Sequence, residues 1–423
     1  MRPSPFRALT LVALSALLFG TASASAAPTI TLASISRVFD QVALSPYLSD
    51  PSMILIDRMS GEVMFEKDAK SLRRPASVMK ILSATAVLQY LAPDYRYVTK
   101  LALGNTPATI IMSGAFDPWM TGNYKSALRE HRAWLPYLVN KTIATLESDQ
   151  PGTKVITVKQ VGLFSGDVTY LTGYFKKKGI TAKFSAIKAS QVPLATLREI
   201  ASTTSPSITT MVKFALTWSD NLLAERLVRA ASRSAGFSND DFGVSDTIHK
   251  MLETLQIDSS GLDVRDGSGL SKEDRVNVRL IANLLIKIRN DQKFAAIYEG
   301  LPVSGESGTL LSRFIKTAPQ AVGLVRAKTG TLNGTVSLAG YVESGDREYI
   351  FVAIADRIKK GSLATDRARS TLDRLLGKIT SPLLVGLPES SPSPSPSPTF
   401  STSPKVEPSQ SPSASPEALS LSE

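Results

Sequence analysis

The chain runs to 423 residues, more than one hydrophobic core of ordinary size occupies, and its 43% hydrophobic and 20% charged residues match a soluble globular protein. It contains no cysteine, which excludes thiol catalysis, disulfide frameworks, thiolate metal sites and a lipid-modified cysteine anchor. A formal charge of +11 favours polyanionic surroundings, while two well-separated histidines, His131 and His249, leave little material for a Ser-His-Asp mechanism or a zinc site.

At the start of the chain, Arg2 and Arg7 precede an apolar stretch, Ala8 to Phe19, followed by small residues including Ala24-Ser25-Ala26. This is the pattern of a secretory signal peptide over residues 1–26. At about 12 residues the stretch falls short of the roughly 20 that span a bilayer. No second such stretch follows. The mature protein is therefore expected to be secreted into the wall or periplasm, with no stable transmembrane anchor and no nucleic-acid partner.

Folding is expected to begin near Ala33. Met53–Asp57 and Glu62–Phe65 flank Arg58-Met59-Ser60-Gly61 and read as a β-hairpin. A helix is expected from about Pro75, since proline suits a first helical position and Met79, Leu82, Val87 and Leu88 follow at roughly helical spacing. From Tyr95 to Val192 short β-rich runs, Ala108–Met112 and Lys154–Val158, alternate with a helical stretch near Asn123–Leu146, which suggests an inserted α/β subdomain over residues 95–192. A mostly helical region is expected from Leu194 to about Thr254. Gly340–Glu343 and Tyr349–Ile354 then form an antiparallel pair around Ser344-Gly345-Asp346-Arg347, and a helix over Thr365–Leu376 closes the fold. The main domain is thus expected to be discontinuous, over residues 33–94 and 193–380. From Pro388 to the end serine and proline dominate, as in Ser391-Pro392-Ser393-Pro394, and a disordered tail over 388–423 is expected.

Three short elements carry chemistry, and their order matters more than any one of them. Ser77-Val78-Met79-Lys80 lies at the start of a predicted helix, where residues three apart share a face and the hydroxyl can meet the amine. The helix N-terminus also favours negative charge developing on the serine oxygen. Ser219-Asp220-Asn221 falls between two predicted helices, and alone reads equally well as a helix cap. Lys328-Thr329-Gly330 follows the strand-like Leu324–Ala327, and alone reads as an exposed strand end with a turn glycine. Together the three match the set shared by class A β-lactamases and penicillin-binding proteins.

The likeness extends along the chain. Ser205-Pro206-Ser207, Ser219 to Glu225, Asp266-Gly267-Ser268-Gly269-Leu270-Ser271, Leu301-Pro302-Val303-Ser304-Gly305, Gly308-Thr309-Leu310 and Lys328 to Leu332 resemble the D-alanyl-D-alanine carboxypeptidase/endopeptidase family, the class C penicillin-binding proteins. The resemblance covers about Pro51 to Leu376 and is weakest in the insert. Where the family carries a Gly-Gly-Asp-Pro turn, this chain reads Ala115-Phe116-Asp117-Pro118. The spacing from Ser77 to Ser219 is also shorter than in the larger members, which implies a trimmed insert.

The resemblance implies a β-lactamase/transpeptidase-like fold of the α/β (α+β) class. Its antiparallel sheet is flanked by helices, with an all-helical region and a small inserted α/β subdomain. It implies a serine hydrolase that uses no cofactor and no metal, acts on peptidoglycan stem peptides ending in D-Ala-D-Ala, and is acylated by β-lactam antibiotics. In that reading Ser77 is the nucleophile, Lys80 its base, and Ser219 a proton relay. Asn221, Lys328, Thr329, Gly330 and Thr331 contact substrate, Lys328 helps to lower the Lys80 pKa, and the N–H groups of Ser77 and Thr331 form an oxyanion hole. Two rivals share the elements: a serine β-lactamase, and a weakly active β-lactam-binding or wall-binding module.

Overall fold

The computed structural model describes residues 32–380; the expected signal peptide (1–26) and Ser/Pro-rich tail (388–423) lie outside them. In chain order, helix α1 (Leu32–Ala43) leads into the hairpin β1 (Ser52–Asp57) and β2 (Val63–Lys67), and α2 (Met79–Tyr90) follows a 3₁₀ turn. Next come β3 (Val98–Gly104), β4 (Thr109–Ser113), α3 (Tyr124–Glu130), α4 (Leu135–Asp149), β5 (Val155–Val161) and α5 (Ser165–Lys177). The strands β6 (Thr181–Ala186) and β7 (Thr196–Thr204) enclose the single turn α6 (Val192–Ala195). Three helices follow, α7 (Ile208–Thr217), α8 (Asn221–Ser234) and α9 (Asp241–Thr254), then the two-residue strands β8 (Leu262–Asp263) and β9 (Arg275–Val276). The described residues end with α10 (Val278–Arg289), α11 (Ala295–Gly300), β10 (Val325–Leu332), β11 (Thr335–Ser344), β12 (Arg347–Ala355) and α12 (Ser362–Thr380).

The main sheet is antiparallel, in the order β10-β11-β12-β1-β2. Strand β1 is buried along its whole length, which explains why Met53-Ile54-Leu55-Ile56 is uniformly apolar rather than alternating. Met53 and Leu55 pack with Phe39 of α1 and with Leu372, Leu375 and Leu376 of α12. Ile54 and Ile56 point the other way, onto the cluster built from α2 and α7 to α10. Helix α2 lies at the centre of that cluster. Its residues from Met79 to Leu88 are all buried, so it is apolar all round where a surface helix would show one stripe.

A second five-stranded sheet, β6-β5-β4-β3-β7, is parallel across β4-β5-β6 and antiparallel elsewhere. Leu138 and Leu146 of α4 and Leu171 and Phe175 of α5 cover it, closing an apolar cluster of its own. The boundary expected at residue 192 therefore needs correction. The segment from Leu194, read as helical, leaves the turn α6 after Ala195 and enters β7, which pairs with β3 and completes this sheet. Most of β7 is exposed, and its attachment is mainly backbone hydrogen bonding. Elsewhere the class is the expected one: an antiparallel sheet with helices on both faces, a helical region and a smaller mixed α/β body. Among the described residues no helix is long and apolar enough to cross a membrane.

Candidate active site

Ser77 occupies the middle of the 3₁₀ turn Ala76–Val78 that feeds α2. Ala76 has φ of 49°, in the left-handed region, where a side chain is costly. The turn is held there from two sides. A Cβ on Gly269 would fall 1.9 Å from the Ala76 carbonyl oxygen, and one on Gly330 would fall 2.7 Å from that of Pro75. Ser337 Oγ donates to the same Pro75 carbonyl at 2.6 Å. Close glycine contacts and one buried hydrogen bond thus sustain a strained backbone just before the hydroxyl.

Lys80, 1% exposed, points its amine back along the helix. Its Nζ lies 3.0 Å from Ser77 Oγ and donates to Asn221 Oδ1 at 2.6 Å and to the Ser268 carbonyl at 2.7 Å. Burial pushes its pKa down to about 8, against the opposing pull of Asp266, Asp220 and Glu225. The charges that act most on Lys80 are carboxylates, and burial prevails over them. Lys328, completely buried, is held well below its ordinary value by burial first and by the charge of Lys80 second, a repulsion that acts on both amines.

Ser219 lies in the break between α7 and α8 with φ of 59°. Asp220 caps α8 by accepting from the Leu223 N–H at 2.9 Å, so the bland reading of this motif holds for its central residue. The cap orients its neighbours. Asn221 reaches Lys80, and Ser219 Oγ accepts from Lys328 Nζ at 2.9 Å. Lys328 also donates to the Thr329 carbonyl at 3.0 Å. It does not end its strand, as the sequence suggested; β10 continues through Lys328-Thr329-Gly330 to Leu332. On the open side of this edge strand, Thr329 and Thr331 face a cleft.

The cleft has a volume of about 840 Å³ and is lined by Ser77, Ser219, Asn221, Thr329 and Thr331. Its far wall comes from residues 312–317 and from Asp366, Arg369, Ser370 and Asp373 of α12. Thr309 Oγ1 lies 2.8 Å from Thr329 Oγ1, and Arg369 Nη2 donates to Thr331 Oγ1 at 3.0 Å. Arg313 is paired with Asp373 in the same wall. Of the sequence-predicted residues, Ser77, Ser219, Asn221, Thr329 and Thr331 line this cleft, Lys80 and Lys328 are buried behind it against Ser77 and Ser219, and Gly330 contributes the space it leaves.

Sequence reasoning missed Arg369, Arg313 and the wall they stand in. An arginine on an amphipathic helix carries no local signal. Asp266 and Glu225, from two of the segments that carry the resemblance, organise the loop behind Lys80. Asp266 accepts from the N–H groups of Ser268, Gly269, Leu270 and Ser271, and Glu225 accepts from that of Gly267 at 2.8 Å. The Ala115–Pro118 turn ties the second sheet to α8, because the Pro118 carbonyl accepts from Arg226 at 3.2 Å. Asp117 beside it is buried, and burial raises its pKa to about 7.

The packing at Gly330 carries a prediction. A Cβ there would lie 2.1 Å from Ser337 Oγ, forcing β10 away from the Ser77 turn. If, as the resemblance implies, penicillin acylates Ser77, Gly330→Ala is expected to slow that reaction about 10²-fold, the usual effect of misplacing reacting groups by about 1 Å. Stopped-flow labelling checks this, and an unchanged rate would remove the packing argument.

Residues 36–132 and 147–379 match the D-Ala-D-Ala carboxypeptidase 3 (S13) family. The chain is 25% identical over 389 residues to Carboxypeptidase DacB of Mycolicibacterium smegmatis, covering 80% of this chain and 83% of that protein. It is 36% identical over 140 residues to the D-alanyl-D-alanine carboxypeptidase of Actinomadura sp., a segment covering 32% of this chain and 26% of the relative. The fold is similar to the crystal structure of penicillin binding protein 4 (dacB) from Haemophilus influenzae, with a TM-score of 0.62 at 17% identity, covering 82% of this chain and 98% of that one. With the greater part of its length matched, the chain belongs to the D-Ala-D-Ala carboxypeptidase 3 (S13) family.

Proposed function

We propose that this protein is a serine D-alanyl-D-alanine carboxypeptidase and/or endopeptidase that acts on peptidoglycan stem peptides through an acyl-enzyme, and that penicillin acylates the same serine. The signal-peptide pattern of residues 1–26 supports an extracytoplasmic site of action. One observation carries the reading: the three acceptors around Lys80 Nζ. Two are carbonyl oxygens, which can only accept. A neutral amine has two hydrogens, and donating both to Asn221 Oδ1 and Ser268 O leaves its lone pair for the hydroxyl of Ser77. A pKa near 8 keeps an appreciable neutral fraction at physiological pH.

Ser77 Oγ attacks the carbonyl of the penultimate D-alanine and its proton passes to Lys80. The N–H groups of Ser77 and Thr331 stabilise the oxyanion, an effect worth about 3–4 kcal/mol per donor in serine hydrolases. As the C–N bond breaks, Ser219 gives its hydrogen to the leaving amine and recovers one from Lys80. Lys328, donating to Ser219 Oγ, leaves that hydroxyl hydrogen free for this transfer. Asn221 holds the substrate amide, and Thr329 and Thr331 receive the terminal carboxylate. Water then attacks the ester and releases the shortened peptide.

The test is incubation of the protein with a pentapeptide ending in D-Ala-D-Ala and assay of free D-alanine, alongside benzylpenicillin. Release of D-alanine and a long-lived penicillin adduct are expected. Rapid turnover of penicillin without peptide cleavage would overturn the reading in favour of a β-lactamase. Mass spectrometry of digested cross-linked peptidoglycan apportions the two peptidase activities.

A further inference from the structure

Arg369 is a group that neither the motifs nor the mechanism above uses. It rises from α12 into the cleft, across from Ser77, and donates to Thr331 Oγ1 at 3.0 Å. A threonine hydroxyl has one hydrogen. With its oxygen already accepting from Arg369, that hydrogen is left to donate into the cleft. Thr329, two residues earlier on the same face of β10, stands in the same wall, its hydroxyl paired with that of Thr309. The Thr331 hydroxyl beside a guanidinium makes a set of donors for one kind of group, a planar anion able to take a forked pair of hydrogen bonds.

The charges around Arg369 point the same way. Arg313, in the same wall, is matched by Asp373. The carboxylate beside Arg369 is Asp366, 3.2 Å from Nη1 and 65% exposed, a weak surface partner that competes poorly with a ligand. We propose that Arg369, acting with Thr331, anchors the free α-carboxylate of the residue cleaved from the substrate and so sets the preference of this site for C-terminal acids. The inference rests on the proposed function. It assigns to α12 the selection of the leaving group, with that carboxylate gripped at one end and the leaving nitrogen directed towards Ser219.

The experiment compares wild type, Arg369→Ala, Arg369→Lys and Asp366→Asn on two peptides, one ending in D-Ala-D-Ala and one in its C-terminal amide. Acylation by benzylpenicillin and by its methyl ester is measured in parallel. Wild type is expected to prefer the acid, and in Arg369→Ala the acid-to-amide ratio of kcat/KM falls at least about tenfold, the size of one charge-assisted contact, chiefly through KM. Arg369→Lys restores part of the ratio. Asp366→Asn, by removing a competing anion, lowers KM for the acid, whereas a merely structural role for this pair would raise it. Equal losses on acid and amide in Arg369→Ala would overturn the proposal. If neither peptide is cleaved by any variant, the proposed function fails; the penicillin arm still decides Arg369, by whether the acid-over-ester preference in acylation depends on it.

Discussion

Ser77→Ala is expected to abolish covalent labelling by penicillin and to lower D-alanine release by about 10⁴ to 10⁶-fold, the scale on which serine hydrolases lose turnover with their nucleophile. The fold itself loses little. Ser77 Oγ is one of three acceptors around Lys80, and the two carbonyls remain. Ala76 and its glycine neighbours are untouched, so circular dichroism and the thermal midpoint should stay close to wild type. Intact-protein mass spectrometry after incubation with penicillin reads the adduct directly. A Ser77→Ala protein that still gains the mass of one penicillin would place the nucleophile elsewhere.

Loss of Lys80 should be nearly as severe and should reveal itself through pH. Lys80→Ala removes the base and is expected to slow acylation about 10² to 10⁴-fold, the usual range for a positioned general base. In the wild type only the neutral amine accepts the proton from Ser77. With a pKa of about 8, the acylation rate should rise tenfold per pH unit below that value and level off above it. Stability follows the same group with a definite sign. The folded pKa lies below the ordinary 10.5, so between pH 8 and 10.5 the unfolded chain binds more protons than the folded one. Unfolding free energy therefore rises with pH across that window, and below it the fold carries the full cost of a buried ammonium. Lys80→Met should remove the first dependence, reduce the second to the part that the likewise buried Lys328 contributes, and be more stable than wild type at pH 7. Denaturant titrations at pH 7 and pH 10 measure the second effect, and a wild-type acylation rate independent of pH from 6 to 9 would exclude Lys80 as the base.

Much of this fold could be read from the chain because its signals are local. The β1–β2 and β11–β12 hairpins were marked by apolar runs around turn residues, and Ser77 and Lys80 were brought together by helical spacing alone. Other features were not legible, for distinct physical reasons. Strand β7 has no buried stripe to betray it, being held mainly by backbone pairing to β3. Lys328 broke the apolar pattern of β10 and so suggested a strand end, although the strand continues around it because Ser219 and the Thr329 carbonyl satisfy the amine. The left-handed Ala76 is imposed by Gly269 and Gly330, from segments remote in sequence. Arg369 sits in a helix whose pattern explains its burial face and nothing else. The site's chemistry was encoded in motifs; its far wall was encoded only in the fold.

The order of strands in the main sheet bears on how the protein comes to exist at all. Ser52, at the start of β1, pairs with Ile354, near the end of β12, so β1 waits for a strand far along the chain before it gains that neighbour. Contacts so distant in sequence form slowly, and until they form the edge that carries Lys328 has nothing to hang from. A nascent or clipped chain ending before Arg347 would contain Ser77, Lys80, Ser219 and Lys328 but lack β12, the strand that links β11 to β1. The topology thus acts as a built-in delay, withholding the edge strand of Lys328 until β12 has joined β1.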